Sequence, residues 1–140
     1  SLNTPDGDAF EGQMIPGAPL ADAPIEAAGQ PGWLLHQLGN RFQLLHYVDD
    51  ASTLDEKTAL ALAQLAQAAI AIEAIIVAPR GQAPAGLKTL IDTDGCIAQR
   101  YDLRPGTTYL VRPDQHVAAR WRALDASKIK AALARATCNA

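Results

Sequence analysis

The sequence predicts an α/β fold, a central mixed sheet flanked by helices. Three observations carry this expectation. Two apolar runs, 41–50 and 71–79, read as buried strands with one helical pattern between them. Strand, helix, strand implies a parallel pair joined by a right-handed crossover. The stretch TTYLVRPDQHVAARW, 107–121, then reads as two short strands around a tight polar turn, with a helix start after it at Asp125.

Taken in order, residues 1–31 are rich in Pro and Gly and predict an extended lead-in or linker, with the folded domain over 32–140. GWLLHQLG, 32–39, predicts a short helical turn closed by Gly39. RFQLLHYVDD, 41–50, is apolar at Phe42, Leu44, Leu45, Tyr47 and Val48, which fits a strand buried on both faces. Thr53-Leu54-Asp55-Glu56 matches a capping box, a hydroxyl followed three residues on by a carboxylate. Leu62, Leu65, Ala66 and Ala69 continue that helix on one face. AIEAIIVAP, 71–79, is the second buried strand, stopped by Pro79. LKTLID, 87–92, predicts an edge strand, and DGCIAQRYDL, 94–103, a short helix. In the last helix Asp125 is the N-cap, with Leu124 and Ile129 placed as a hydrophobic staple. This order is the thioredoxin-like layout.

The bulk numbers narrow the function. The chain has 140 residues, 49% of them hydrophobic and 19% charged, enough for one domain with its own core. A net charge of −3 with scattered Lys and Arg supplies neither a nucleic-acid face nor a polybasic membrane patch. The run 59–78 has the length of a membrane span, but Gln64, Gln67 and Glu73 interrupt it. It predicts a helix running into a strand. Cys96 and Cys138 are too few for a disulfide framework or a zinc site and fit a reducing, cytoplasmic setting. His36, His46 and His116 show no metal-ligand spacing, so no metal site is expected. Ser1-Leu2 reads as a cut inside a longer chain or a remnant of cloning.

LVRPDQHVAARW, together with IPGAPLADAPI (15–25) and LLHQLGNRFQLL (34–45), resembles the C-terminal domain of FAD-dependent aromatic-ring hydroxylases of the phenol hydroxylase type. The resemblance spans about residues 12 to 136. It departs at Gln115, where that family places Gly, and at Trp121, two residues later than usual. The resemblance implies a longer parent using FAD, NAD(P)H and oxygen, with its FAD and substrate domains upstream. In that family this domain packs on the catalytic body and makes dimer contacts. No catalytic and no cofactor-binding residue is therefore expected here. Gly7, Gly12 and Gly17 lack the strand-then-helix context of a dinucleotide motif.

Arg112, Asp114, Arg120 and Trp121 are the expected docking surface for the catalytic body, because Trp and Arg are enriched at interfaces. The rival reading is a free-standing thioredoxin-fold redox protein or peroxidase using Cys96. The slot where that fold carries its reactive thiol is YVDDASTLDEKT, 47–58, which is acidic and holds no cysteine. The position before the hairpin that carries proline in that fold is Thr107, with Pro105 two residues early. A small binding module without redox function is a third reading.

Overall fold

The computed structural model describes residues 1–139. One seven-stranded mixed sheet runs in the order β2-β1-β5-β4-β3-β6-β7. Its strands are β1 (Pro24–Ala27), β2 (Gln30–Trp33), β3 (Phe42–Tyr47), β4 (Ile72–Ala78), β5 (Lys88–Ile91), β6 (Thr108–Val111) and β7 (Val117–Trp121). The helices are α1 (Glu56–Gln64), α2 (Cys96–Arg100) and α3 (Ala126–Ala136), with 3-10 turns at Leu34–Gln37, Ala51–Thr53 and Leu65–Gln67. β3, β4 and β5 are parallel neighbours, whereas β6 and β7 form the expected antiparallel hairpin beside β3. The thioredoxin-like layout read from the sequence is the one observed.

The central strands are buried on both faces, and their alternation splits the core in two. Leu45, Ile75, Val77, Tyr109 and Val111 point to one face, with Met14, Leu20, Leu34, Ile97 and Tyr101. Leu44, Ile76, Leu110 and Trp121 point to the other, under Leu62 of α1 and Ile129 and Ala132 of α3. Asp125 caps α3 by accepting from the Lys128 amide, as its sequence predicts.

Three local expectations are corrected. Residues 24–31, expected within an extended lead-in or linker ahead of a domain at 32–140, belong to the sheet itself. Residues 24–33 form the β1–β2 hairpin, and the segment before it lies along β7. Hydrogen bonds run from Thr4 N to Ala118 O (2.9 Å), Gly17 N to Val117 O (2.7 Å) and Val117 N to Ala18 O (2.9 Å). An open strand edge pairs with available backbone, and the N-terminal strap supplies it. β5 is consequently not an edge strand, because β1 pairs with it antiparallel. The cap of α1 is Asp55, whose carboxylate accepts from Thr58 N at 2.6 Å. The Thr53 hydroxyl instead donates to Asp50 O, and α1 stops at Gln64, leaving Ala66 and Ala69 exposed beyond it.

Candidate functional site

The β6–β7 hairpin turns at Pro113-Asp114-Gln115, with Arg112 N bonded to His116 O at 2.9 Å. Gln115 takes φ +61°, the left-handed backbone that glycine adopts most cheaply. The turn survives the Gly-to-Gln departure because the side chain is anchored. Its Nε2 donates to Leu35 O (2.8 Å) and Leu38 O (3.1 Å), tying the hairpin to the turn before β3.

The four residues expected to form one docking surface are divided by the fold. Arg112 and Asp114 stay together at the tip, 2.6 Å apart, with the Asp114 side chain half exposed. Arg112 also donates to Asn3 Oδ1 at 3.2 Å. Arg120 and Trp121 are interior, at 3% and 6% exposure, on opposite faces of β7. Trp121 packs in the helix-covered core. Arg120 lies under the strap, where it binds both carboxylate oxygens of Asp6, at 3.0 Å from Nε and 2.8 Å from Nη2. Burial works against its charge, but Asp6 and the Tyr109 hydroxyl outweigh that and raise its pKa.

Sequence reading missed the cluster around Arg120. The Phe10 ring has the Arg120 guanidinium 4.3 Å from its centroid and that of Arg122 at 3.8 Å. Arg122 pairs with Asp102, whose carboxyl the Glu11 amide, and then Arg122, hold below the ordinary carboxylate range. Tyr109 donates to Tyr101 O and Tyr101 to Ala21 O, and burial pushes both phenols up. Asp6 lies 114 residues from Arg120 and Glu11 91 residues from Asp102, and Phe10 is equally remote from Arg120, so no local spacing reveals them.

At the other end of the sheet lies the mouth where β3 and β4 finish. Segments 50–53 and 80–82 are stitched across it. Ala51 N bonds to Arg80 O (2.9 Å), and the Ser52 hydroxyl accepts from Gln82 N (3.1 Å). The Asp50 carboxylate takes the Ser52 amide at 2.9 Å. A Cβ on Gly81, itself at φ +91°, would come within 2.1 Å of that carboxylate. The Ser52 amide at this mouth thus already holds an anion, and segment 47–58 carries no thiol.

His46 is buried near this mouth, with Nδ1 2.9 Å from Thr108 Oγ1. Burial lowers its pKa, and Asp55 only partly offsets this. Cys96 is partly buried at the start of α2 and packs against the opposite core face. The sheet therefore separates its sulfur from the His46 imidazole, and the two form no thiol–imidazole pair. The Asp92 carboxylate takes the Ile97 and Ala98 amides, so those first-turn donors of α2 are already occupied. His36 and His116 are far from this arrangement in the fold, and no group of three His, Cys, Asp or Glu suited to a metal ion occurs among the described residues. Among those residues no helix is long and apolar enough to cross a membrane.

Comparison with known proteins agrees with this architecture. The structure of the flavin-dependent monooxygenase PieE, in complex with FAD and substrate, matches 99% of this chain and 24% of its own, with 23% identity and a TM-score of 0.72. Aklavinone-11 hydroxylase, in a ternary complex with FAD and aklavinone, matches 94% of this chain and 23% of its own, at 22% identity and a TM-score of 0.64. A thiol peroxidase from Chromobacterium violaceum matches 87% and 88% respectively, at 12% identity and a TM-score of 0.66. At such identities the likeness is one of fold, and this chain spans about a quarter of either monooxygenase. No curated protein matches the chain. The family model described as the HcaD C-terminal domain matches residues 25–136, most of the chain's length, and the chain belongs to that family.

Proposed function

We propose that this chain is the C-terminal domain of a longer FAD-dependent monooxygenase acting on an aromatic ring. It packs on the catalytic body and contributes to contacts between subunits. FAD, NAD(P)H and the aromatic substrate are handled upstream, in the cytoplasm. The observation that carries this reading is one of proportion. The chain matches PieE over 99% of its own length and only 24% of PieE's, and its family is a C-terminal domain family. The mouth of the sheet supports it, since Asp50 occupies the Ser52 amide there and the sheet separates Cys96 from the buried His46.

The test is the native polypeptide, purified from its source or expressed from the complete reading frame. The expected product is a yellow protein several times longer than 140 residues. It oxidises NAD(P)H faster when a phenolic substrate and oxygen are present. A native chain of about this length that consumes peroxide, with the activity lost on Cys96→Ser, would replace this reading with the free-standing peroxidase.

A further inference from the structure

We propose that the cavity where β3, β4 and β5 begin is a binding site for a small carboxylic acid with an apolar body. This is the end of the sheet opposite the mouth described above. The cavity holds about 680 Å³, within the roughly 300–1,000 Å³ of small-molecule sites. Its two ends differ in chemistry. The floor is Leu62, Ile72, Ala74 and Leu87, all buried in the helix-covered core. One wall is the second half of α1 and the 3-10 turn after it, where Ala63 and Ala66 are exposed. From Thr58 to Ile72 the chain carries no charged side chain, so this wall brings no charge. Every charged residue that lines the cavity, Arg41, Glu73 and Lys88, stands where a strand starts. An apolar lining with a few polar groups gathered at one place fixes a ligand's orientation.

The charged end carries a surplus positive charge. By alternation with Leu45, Ile75 and Leu90, the side chains of Gln43, Glu73 and Lys88 lie on the sheet face away from α1. On that side a second, polar cavity of about 210 Å³ shares Arg41, Glu73 and Lys88 with the first. The Glu73 carboxylate is already engaged there. Its Oε1 accepts from the buried Gln43 Nε2 at 2.7 Å. Its Oε2 is 3.7 Å from Arg41 Nη1, beyond hydrogen-bond reach, so the Arg41 donors are open to another acceptor. Lys88 is half-buried and makes no ion pair and no side-chain hydrogen bond among the described residues. Two cations thus face one occupied carboxylate, and a ligand with a single negative charge completes the set. A planar carboxylate matches the paired donors of a guanidinium, with Lys88 as a second point of charge. A cationic ligand would add to the surplus. The body of the ligand then lies along the uncharged wall, over Leu62 and Ile72.

The test is titration calorimetry with octanoate, on the polypeptide of the complete reading frame and on the 140-residue chain. 1-Octanol supplies the same body without the charge, and acetate the charge without the body. Octanoate is expected to bind about tenfold more tightly than either. Lys88→Gln and Arg41→Gln should each weaken it about tenfold, as expected for losing one hydrogen bond to a charged group. Glu73→Gln removes the competing carboxylate and should tighten binding severalfold. Ala66→Glu sets an anion against the apolar end and should weaken it. All four positions are exposed or half-exposed, and if one variant loses its far-UV circular dichroism the other three decide. Absence of octanoate binding, or octanol binding as tightly, would overturn the inference. So would an octanoate affinity unmoved by both Lys88→Gln and Arg41→Gln. Binding by the 140-residue chain that is lost in a longer native polypeptide would overturn it too, by showing that upstream residues cover the cavity. Each of these outcomes leaves the proposed function standing, since that function places no ligand here. A native chain of about this length would end the proposed function and leave this site untouched.

Discussion

Gln115 holds a left-handed backbone at φ +61° and recovers the cost through two hydrogen bonds to the carbonyls of Leu35 and Leu38. Ala at this position would keep the strained backbone and lose both bonds, at about 1 kcal/mol each. Gly would lose the bonds but relieve about 1 kcal/mol of strain. We expect urea unfolding to place Gln115→Ala about 2 kcal/mol below the parent and Gln115→Gly about midway between them. Equal losses in the two variants would show that the backbone is not strained. His46 carries a second expectation. Its folded pKa lies below the unfolded value near 6.5, so the unfolded chain binds the extra proton as pH falls. Its contribution to stability is present above pH 6.5 and is lost as pH drops through and below that value. The denaturation midpoint should fall between pH 7.5 and 5.5. His46→Gln, which keeps a partner for Thr108, should flatten that part of the profile.

At the scale of elements, most strands declared themselves through composition. β3 and β4 are unbroken apolar runs, and their burial on both faces is what such runs require. The hairpin and α3 were equally legible, since a polar turn and an Asp cap act within a few residues. α1 was read less well. Thr53 and Asp55 both offer side-chain acceptors near the helix start, and the 3-10 turn at Ala51–Thr53 occupies the threonine with Asp50 O. The expected outcome is that Asp55→Ala lowers the melting temperature while Thr53→Ala leaves it nearly unchanged. The reverse order by circular dichroism would restore the capping box at Thr53. β5 was misjudged as an edge because its second neighbour, β1, comes from a segment too rich in Pro and Gly to read as a strand.

On the scale of the whole molecule, the N-terminal strap is the feature on which the domain's integrity depends. Residues 1–20 contribute Met14 and Leu20 to the core, close the β7 edge and neutralise buried Arg120 through Asp6. Burial of two large apolar side chains contributes about 3–6 kcal/mol. Leaving a buried guanidinium without its carboxylate adds about 3–5 kcal/mol more. That total is comparable with the whole stability of a small domain, about 5–15 kcal/mol. A chain starting at residue 21 is therefore expected to lose its cooperative thermal transition. A transition unchanged by the deletion would return residues 1–20 to the role of linker.

By itself the sequence determined the α/β class, the parallel crossover, the hairpin, the caps of the last helix and the family resemblance. All of these rest on periodicity, turn chemistry and motifs within a few residues of one another. Tertiary structure alone decided that Arg120 and Trp121 are interior and that β5 has a neighbour on either side. It also decided that the strap belongs to the domain and that Arg41, Glu73 and Lys88 meet at one cavity. Each of these depends on pairs far apart in sequence, such as Asp6 with Arg120 and Glu26 with Ile91. A charged residue looks alike on paper whether it faces water or a distant partner, and only the folded chain brings that partner to it.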